Sequence, residues 1–198
     1  MPKVSEEYRR NRRRSVVDAA TGCFLTEGYR GASMHEIIAA TGLSAGAIYN
    51  HFPGGKSELV VACARTALDQ VFDLAAQTAS APFDPESWLV GVLESLAAQP
   101  RLARLLLVTW GEAAVDPEVH GALGSHLEAL RGLIDDRFSA WAVEQLGLSD
   151  REAADWVGMF SQAVLSVLQG WVVQSQLLPG FAHEAYLDYA RTIAAVGE

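Results

Sequence analysis

An all-α fold of about nine helices is predicted for this 198-residue chain by three observations. Helix start and stop signals recur along its length. Apolar residues between them return at three- and four-residue spacing. No period-2 run rich in β-branched residues is found anywhere.

Taken in order, residues 1–5 read as a loose arm. The first helix is expected from about Glu6 to Glu27, with Val16, Ala20 and Phe24 on one face and Gly28 as its stop. Its opening turns hold Arg9, Arg10, Arg12, Arg13 and Arg14 with no acid among them, which on an otherwise acidic chain points to phosphate or minor-groove contact. Ser33 with Glu36 three residues on is a capping box that opens a second helix, and Met34, Ile37 and Ile38 give it an apolar face. Gly42 ends that helix in a left-handed turn, with Leu43 tucked under the corner. Ser44 caps a third helix, Ala45 to Phe52, in which Ile48 and Phe52 point inward at i, i+4.

After the Pro53-Gly54-Gly55 corner, a fourth helix is expected from about Lys56 to Thr78. Leu59 and Val60 tie its start to the N-terminal domain, whereas Val71, Phe72 and Leu74 pack with the C-terminal helices, so the helix is a mechanical link. Ser80 to Asp84, with Pro82, is a short break. Asp84-Pro85-Glu86 restarts a helix, Asp as N-cap and Pro at the first helical position, carrying Trp88, Leu89, Val92, Leu93 and Leu96. Pro100 opens the sixth, with Leu102, Leu105, Leu106 and Trp110. Asp116-Pro117-Glu118 opens the seventh, which runs to about Leu146 through Leu123, Leu127, Leu130, Ile134, Phe138 and Trp141 and ends at Gly147. A second capping box, Ser149 with Glu152, starts the eighth, expected to reach about Leu178 before Pro179-Gly180. The ninth is expected from about His183 to Val196, with Tyr186, Tyr189 and Ile193.

Two short helices joined by a glycine turn make a helix-turn-helix, whose second helix enters the DNA major groove. Helix–glycine–helix corners occur in any helical protein; the outward face of the third helix is what distinguishes this one. Ser33, Ser44, Tyr49, His51 and Lys56 are donors suited to phosphate oxygens. Ala45, Gly46 and Ala47 are small enough for close approach to base edges, with alanine methyls against thymine methyls, and Asn50 suits adenine N6/N7.

The run from Glu27 to Leu59 resembles the N-terminal domain of the TetR (tetracycline-repressor) family. The matching features are Gly28-Tyr29, Ser33 with Glu36-Ile37, Thr41-Gly42-Leu43-Ser44, Gly46, Ile48-Tyr49 with His51-Phe52, and Lys56 with Glu58-Leu59. Two positions depart from the pattern: Ala32 stands where the family often has a phosphate-contacting Thr, and Ile38 replaces the usual Ala, suggesting a wider gap between the first two helices. The resemblance implies a homodimer on a palindromic operator, usually a repressor, that is released when a small molecule binds its C-terminal half.

Composition divides the chain in the same sense. The formal net charge is −9, yet residues 1–58 carry eight Lys/Arg against six Asp/Glu, while residues 59–198 carry seven against eighteen. Only the first part suits a phosphate surface. The expected domains are therefore 1–58, binding DNA, and 59–198, binding an effector and a second copy. No leader is expected behind the arginine-rich start, and Cys23 and Cys63 read as buried free thiols in a reducing cytoplasm. Trp156 to Ala182 lacks any charge, but four glutamines interrupt it, so a helix buried on two sides is expected rather than a membrane span.

No nucleophile–base pair, phosphate loop or metal-ligand spacing stands out, so neither an enzyme nor a cofactor or metal is expected. Helix 8, with Trp156, Phe160, Val167 and Trp171 on one face and Val157, Val164, Leu165, Leu168 and Val172 toward the other, is expected to form the homodimer interface with helix 9. Trp88, Leu106, Trp110, Ile134, Phe138 and Phe160 are the candidate lining of a pocket for a small, largely apolar or aromatic effector. The alternative is a regulator of the same fold without a small-molecule ligand.

Overall fold

The computed structural model describes residues 6–78 and 84–195; the expectations for residues 1–5, 80–83 and Val196 lie outside them. Nine α-helices and no strand are found among the described residues: α1 (Glu6–Gly31), α2 (Met34–Thr41), α3 (Ala45–His51), α4 (Lys56–Gln77), α5 (Pro85–Ala97), α6 (Pro100–Ala113), α7 (Pro117–Leu146), α8 (Asp150–Leu177) and α9 (His183–Ala194). The start signals act as local chemistry dictates. Ser33 and Ser149 each close a capping box, and Asp84 accepts the Ser87 amide ahead of Pro85. Gly28 interrupts α1 at φ 72°, ψ 167°, and one further turn reaches Gly31. Gly42 ends α2 at φ 65°.

The described residues pack as two compact units. The first comprises the chain through Ala67 together with Val108–Leu123; the second comprises Leu68–Leu107 and the chain from Gly124 onward. Helices α4, α6 and α7 each contribute residues to both. In the first unit, Val16, Ala20, Phe24, Ile37, Ile48, Phe52, Leu59 and Cys63 are fully buried. Phe24 and Tyr29 meet edge to face at 4.7 Å. The buried Tyr29 hydroxyl shares a 3.1 Å hydrogen bond with the buried Thr109 hydroxyl, so α6 enters this core with its one polar group satisfied.

The second unit is built on rings. Trp88 meets Phe138 at 5.4 Å, Phe138 meets Phe160 at 5.3 Å, Phe160 stacks on Trp156 at 5.0 Å, and Trp156 neighbours Trp141 at 5.6 Å. The series runs from a fully buried Trp88, whose indole N–H donates to the Ala75 carbonyl at 3.0 Å, out to half-buried Trp156 and Trp141. Arg137 donates to the carbonyls of Ala76 (2.6 Å) and Thr78 (3.0 Å), placing a cation at the C-terminal end of α4. By length and composition α8 could cross a membrane, and half of that apolar stretch is buried inside the chain. It packs against α5 and α9.

Burial raises the Cys63 thiol from 9.0 to about 12, its S–H pointing at the Val17 carbonyl at 3.5 Å. A folded value above the unfolded one contributes stability that is complete below 9.0 and is lost as pH rises through about 12. The thermal midpoint of the native chain is therefore expected to fall more between pH 8.5 and 10.5 than that of Cys63→Ala, as measured by circular dichroism. Equal falls would show that the thiol does not report the burial described.

Candidate nucleic-acid interface

The site is organised on α3, which has only 7 residues. So short a helix lacks the length to be stable on its own, and its geometry comes from what it is fastened to. At its N-terminus Ser44 Oγ accepts the Ala47 amide at 3.3 Å. Inward, Ile48 and Phe52 are fully buried. At its C-terminus Arg13 of α1 donates from Nη1 to the His51 carbonyl at 2.6 Å. The same guanidinium lies 4.0 Å from the centre of the Phe52 ring and 3.5 Å from a Glu58 carboxylate oxygen. The other Glu58 oxygen accepts the Gly54 amide at 3.0 Å. One arginine thus meets the negative end of the α3 dipole, an aromatic face and the carboxylate that holds the adjoining loop.

This separates the arginines that the sequence groups together. Arg13 is spent on positioning. Arg12 donates to the Tyr8 hydroxyl at 2.6 Å, while Arg9, Arg10 and Arg14 are exposed with no ion pair among the described residues. Sequence reasoning set Arg13 at phosphate and gave Glu58 no contact; the positioning role of the pair is what it missed. The Arg13–His51 contact joins positions 38 apart, and no local spacing announces it.

The outward face of α3 carries Ser44, Ala45, Gly46, Tyr49 and Asn50, all exposed, with Ala47 and His51 half-buried beside them. The amides of Ala45 and Gly46 have no acceptor among the described residues. Tyr49 is 43% exposed, and its ring lies 3.4 Å from where a side chain on Gly55 would begin; Gly55 itself sits at φ 65°. Glycine there serves both the turn and the ring above it. The remaining candidates have internal partners. Ser33 Oγ accepts the Glu36 amide, while the Ser33 amide at 2.7 Å, and then its hydroxyl at 2.8 Å, donate to the Glu36 carboxylate and hold that carboxyl below its ordinary range. The Ser44 hydroxyl proton has no acceptor among the described residues, whereas that of Ser33 is engaged by Glu36. Lys56 Nζ donates to the Arg30 carbonyl at 2.9 Å, at the end of α1. Ala32 is buried, 1% exposed, so its side chain faces the core.

In the second unit Trp88, Leu106, Ile134, Phe138 and Phe160 are all buried, three of them within the ring series, whereas Trp110 is half-buried in the first unit. Helix α8 departs from the two-faced reading: of the apolar residues assigned to its two faces, all but Trp156 are buried within the chain itself. Its open side is a different stripe, Met159, Gln162, Ser166, Val173 and Leu177, with Met159 69% and Leu177 60% exposed and no charge among them. A groove of about 600 Å³ runs beside it, lined by Ser166, Gly170, Gln174, Leu178, Phe181 and Tyr189 among others. Among the described residues, no group of three or more His, Cys, Asp or Glu could hold a metal ion.

This is an all-helical chain with an N-terminal helix-turn-helix whose second helix is clamped polar side outward. Residues 16–63 match the family model "Bacterial regulatory proteins, tetR family". The chain is 35% identical over 100 residues to the HTH-type transcriptional repressor Rv1474c of Mycobacterium tuberculosis, covering 50% of this chain and 48% of that protein. It spans about half the length of the curated relatives it matches. Salmonella enterica GusR shares the fold along nearly the whole chain, with TM-score 0.72 at 18% identity over 98% of this chain and 97% of that one. So does a transcriptional regulator from Saccharomonospora viridis solved in complex with choline, with TM-score 0.70 at 18% identity over 92% and 95%. Residues 16–63 are thus a TetR-family domain of bacterial regulatory proteins, and the chain is similar to transcriptional regulators that carry it.

The Arg13 contacts lead to a test in the free protein. Arg13→Ala is expected to speed amide exchange at Ile48–Phe52 by about fivefold relative to the amides of α2, as lost hydrogen bonds to charged groups do. Arg13→Lys, which keeps the charge without the planar fork, should restore little of it. Unchanged α3 exchange in Arg13→Ala would remove the clamp.

Proposed function

We propose that this chain is a homodimeric DNA-binding repressor, acting in the cytoplasm without a membrane or cofactor, that leaves a palindromic operator when a small, largely apolar effector binds. Residues 1–58 meet DNA, and residues 59–198 hold the effector and the second copy. The observation that carries the reading is the exposed polar surface of α3, Ser44 to Asn50, on a helix fastened at both ends. Tyr49, Ser44 and His51 anchor phosphates, assisted by Ser33 and Lys56 where their internal bonds yield. Ala45, Gly46 and Ala47 allow close approach, and Asn50 reads adenine. With so few base-reading side chains, DNA shape carries much of the specificity.

Dimerisation through α8 and α9 is supported by the uncharged exposed stripe, the groove beside it, and Tyr189 of α9, which is 51% exposed. Two recognition helices about 34–36 Å apart need such a pairing. The choline held by a protein of the same fold supports a small-molecule effector. A regulator of this fold without such a ligand is the second reading, favoured by the edge-to-face closure of Trp88, Phe138 and Phe160, rings that fill the space a ligand would take.

Selection of bound duplexes from random DNA tests the first part. Asn50→Ala is expected to relax preference at one base position, a loss of about 1–3 kcal/mol of discrimination. Tyr49→Ala should weaken all sequences alike, and Arg9→Ala should reduce the salt slope by about one. Unaltered base preference in Asn50→Ala would end its role.

Val173→Glu on the exposed stripe should convert the dimer to monomer in light scattering while leaving helix content unchanged. Dimers that survive that charge would move the interface elsewhere. In a thermal-shift panel, apolar metabolites that stabilise the native chain but not Phe138→Ala favour the effector reading; a flat panel favours the second.

A further inference from the structure

One turn of α1 is bonded to both α6 and α4 and leads directly into α2. Gly28, at φ 72° and ψ 167°, breaks the helix and sends the chain into a last turn that ends at Gly31. Side chains rarely adopt that φ, so the break is written into the sequence as a glycine. Within the turn, Tyr29 points inward and shares its 3.1 Å hydrogen bond with Thr109 of α6. The carbonyl of Arg30, the next residue, accepts Lys56 Nζ of α4 at 2.9 Å. The Ala32 amide then returns to the Gly28 carbonyl at 3.2 Å, and Ser33 follows as the cap of α2. All of these residues lie in the first unit, to which α6 contributes its end from Val108.

The Tyr29–Thr109 pair is not what packing alone selects. Thr109 is 0% exposed and Tyr29 3%, and Phe with Val would fill the same space with no polar atom to satisfy. Apolar side chains of that shape tolerate a small slide or rotation of α6, because the hydrophobic effect has no direction. Two hydroxyls do not. One geometry joins them, and a shift of α6 breaks the bond and leaves the buried Tyr29 hydroxyl unpaired, since Thr109 alone can turn back to a carbonyl of its own helix. The pair therefore holds α6 in one register against the turn that sets the starts of α2 and α4. Leu106, a candidate effector-lining residue, precedes Thr109 by three positions and lies one turn back on the same side of α6.

We propose that Tyr29 and Thr109 are positioning residues for DNA binding, their hydrogen bond making the register of α6 a determinant of where the helix-turn-helix stands. Both are buried, so neither meets the duplex itself. The inference rests on the function proposed above and adds to it a route of regulation, α6 through Tyr29, beside the α4 link expected from sequence.

Four variants of the full chain test it. Thr109→Ser keeps the hydroxyl, Thr109→Val and Tyr29→Phe each remove one, and Tyr29→Phe/Thr109→Val replaces the pair by apolar groups of the same shape. Each is compared with the native chain by thermal midpoint, by amide exchange of the free protein at Ile37–Thr41 and Ile48–Phe52, and by affinity for duplexes selected with the native chain. Thr109→Val is expected to lower the midpoint and the double variant to restore it. Exchange in α2 and α3 should still be about threefold faster in the double variant than in the native chain, with α5 amides unchanged. Duplex binding should be about three- to tenfold weaker. Thr109→Ser should match the native chain in all three measurements. Tyr29→Phe, which lets Thr109 bond within its own helix, should show the same split between stability and exchange, and it decides the matter if the double variant does not fold. A pair that only packs would recover exchange together with the midpoint, and that result overturns the proposal. So does native exchange in Thr109→Val, or a Thr109→Ser variant that behaves like Thr109→Val. A native chain that selects no duplex would end the function proposed above and leave the exchange result to decide this one.

Discussion

A helix of 7 residues cannot specify its own geometry, and that constraint governs the N-terminal unit. The polar face of α3 has a fixed orientation only because every other group on the helix is engaged. Ser44 takes one end, Ile48 and Phe52 are buried beneath, and Arg13 meets the far end across a carbonyl, a ring and a carboxylate. Each contact is modest in isolation, the ion pair especially so, being partly exposed. Together they hold one short segment against the entropy of fraying. The base reading proposed for this face requires such fastening, because a misplaced side chain loses the geometry of a paired hydrogen bond before it loses much stability.

The same device recurs in the second unit. Arg137 meets the carbonyls at the end of α4 as Arg13 meets the end of α3. In both cases a guanidinium supplies donors to a helix end that lacks a glycine cap, and a flat cation tolerates the partial burial involved. In the same unit the aromatic series from Trp88 to Trp141 runs through the core. Its inner members are closed off edge to face. Its outer members remain half open, and that difference in exposure along one continuous series gives the bundle end its chemical character.

Helix α8 shows how a long uncharged segment is resolved by packing. Ten of its residues are buried inside the chain, more than a two-faced helix shared between subunits would require. The remaining exposed stripe is uncharged and mixed, with Met159 and Leu177 beside Gln162 and Ser166. A solvent-facing stripe ordinarily carries Lys, Glu or Arg. Their exclusion here supports a covered face, and the glutamines and serines supply hydrogen bonds that a membrane interior would not return.

Most of the helical plan was legible in the sequence because it is written in local chemistry. Capping boxes at Ser33 and Ser149, the Asp84-Pro85 start, and stops at Gly42 and Gly147 act over three or four residues, so order, number and near-exact bounds of the helices come from spacing alone. The helix-turn-helix and the residues facing outward from α3 were legible for the same reason, since Ile48 and Phe52 leave Tyr49 and Asn50 on the other side. What spacing does not encode is which of several identical side chains meets a distant partner. Only tertiary packing separated Arg13 from Arg9 and Arg10, committed the Ser33 hydroxyl to Glu36, buried both apolar faces of α8, and set Trp141 and Trp156 beside Asp84. Those choices depend on contacts between residues far apart along the chain, decided by which surfaces the helices bury against one another.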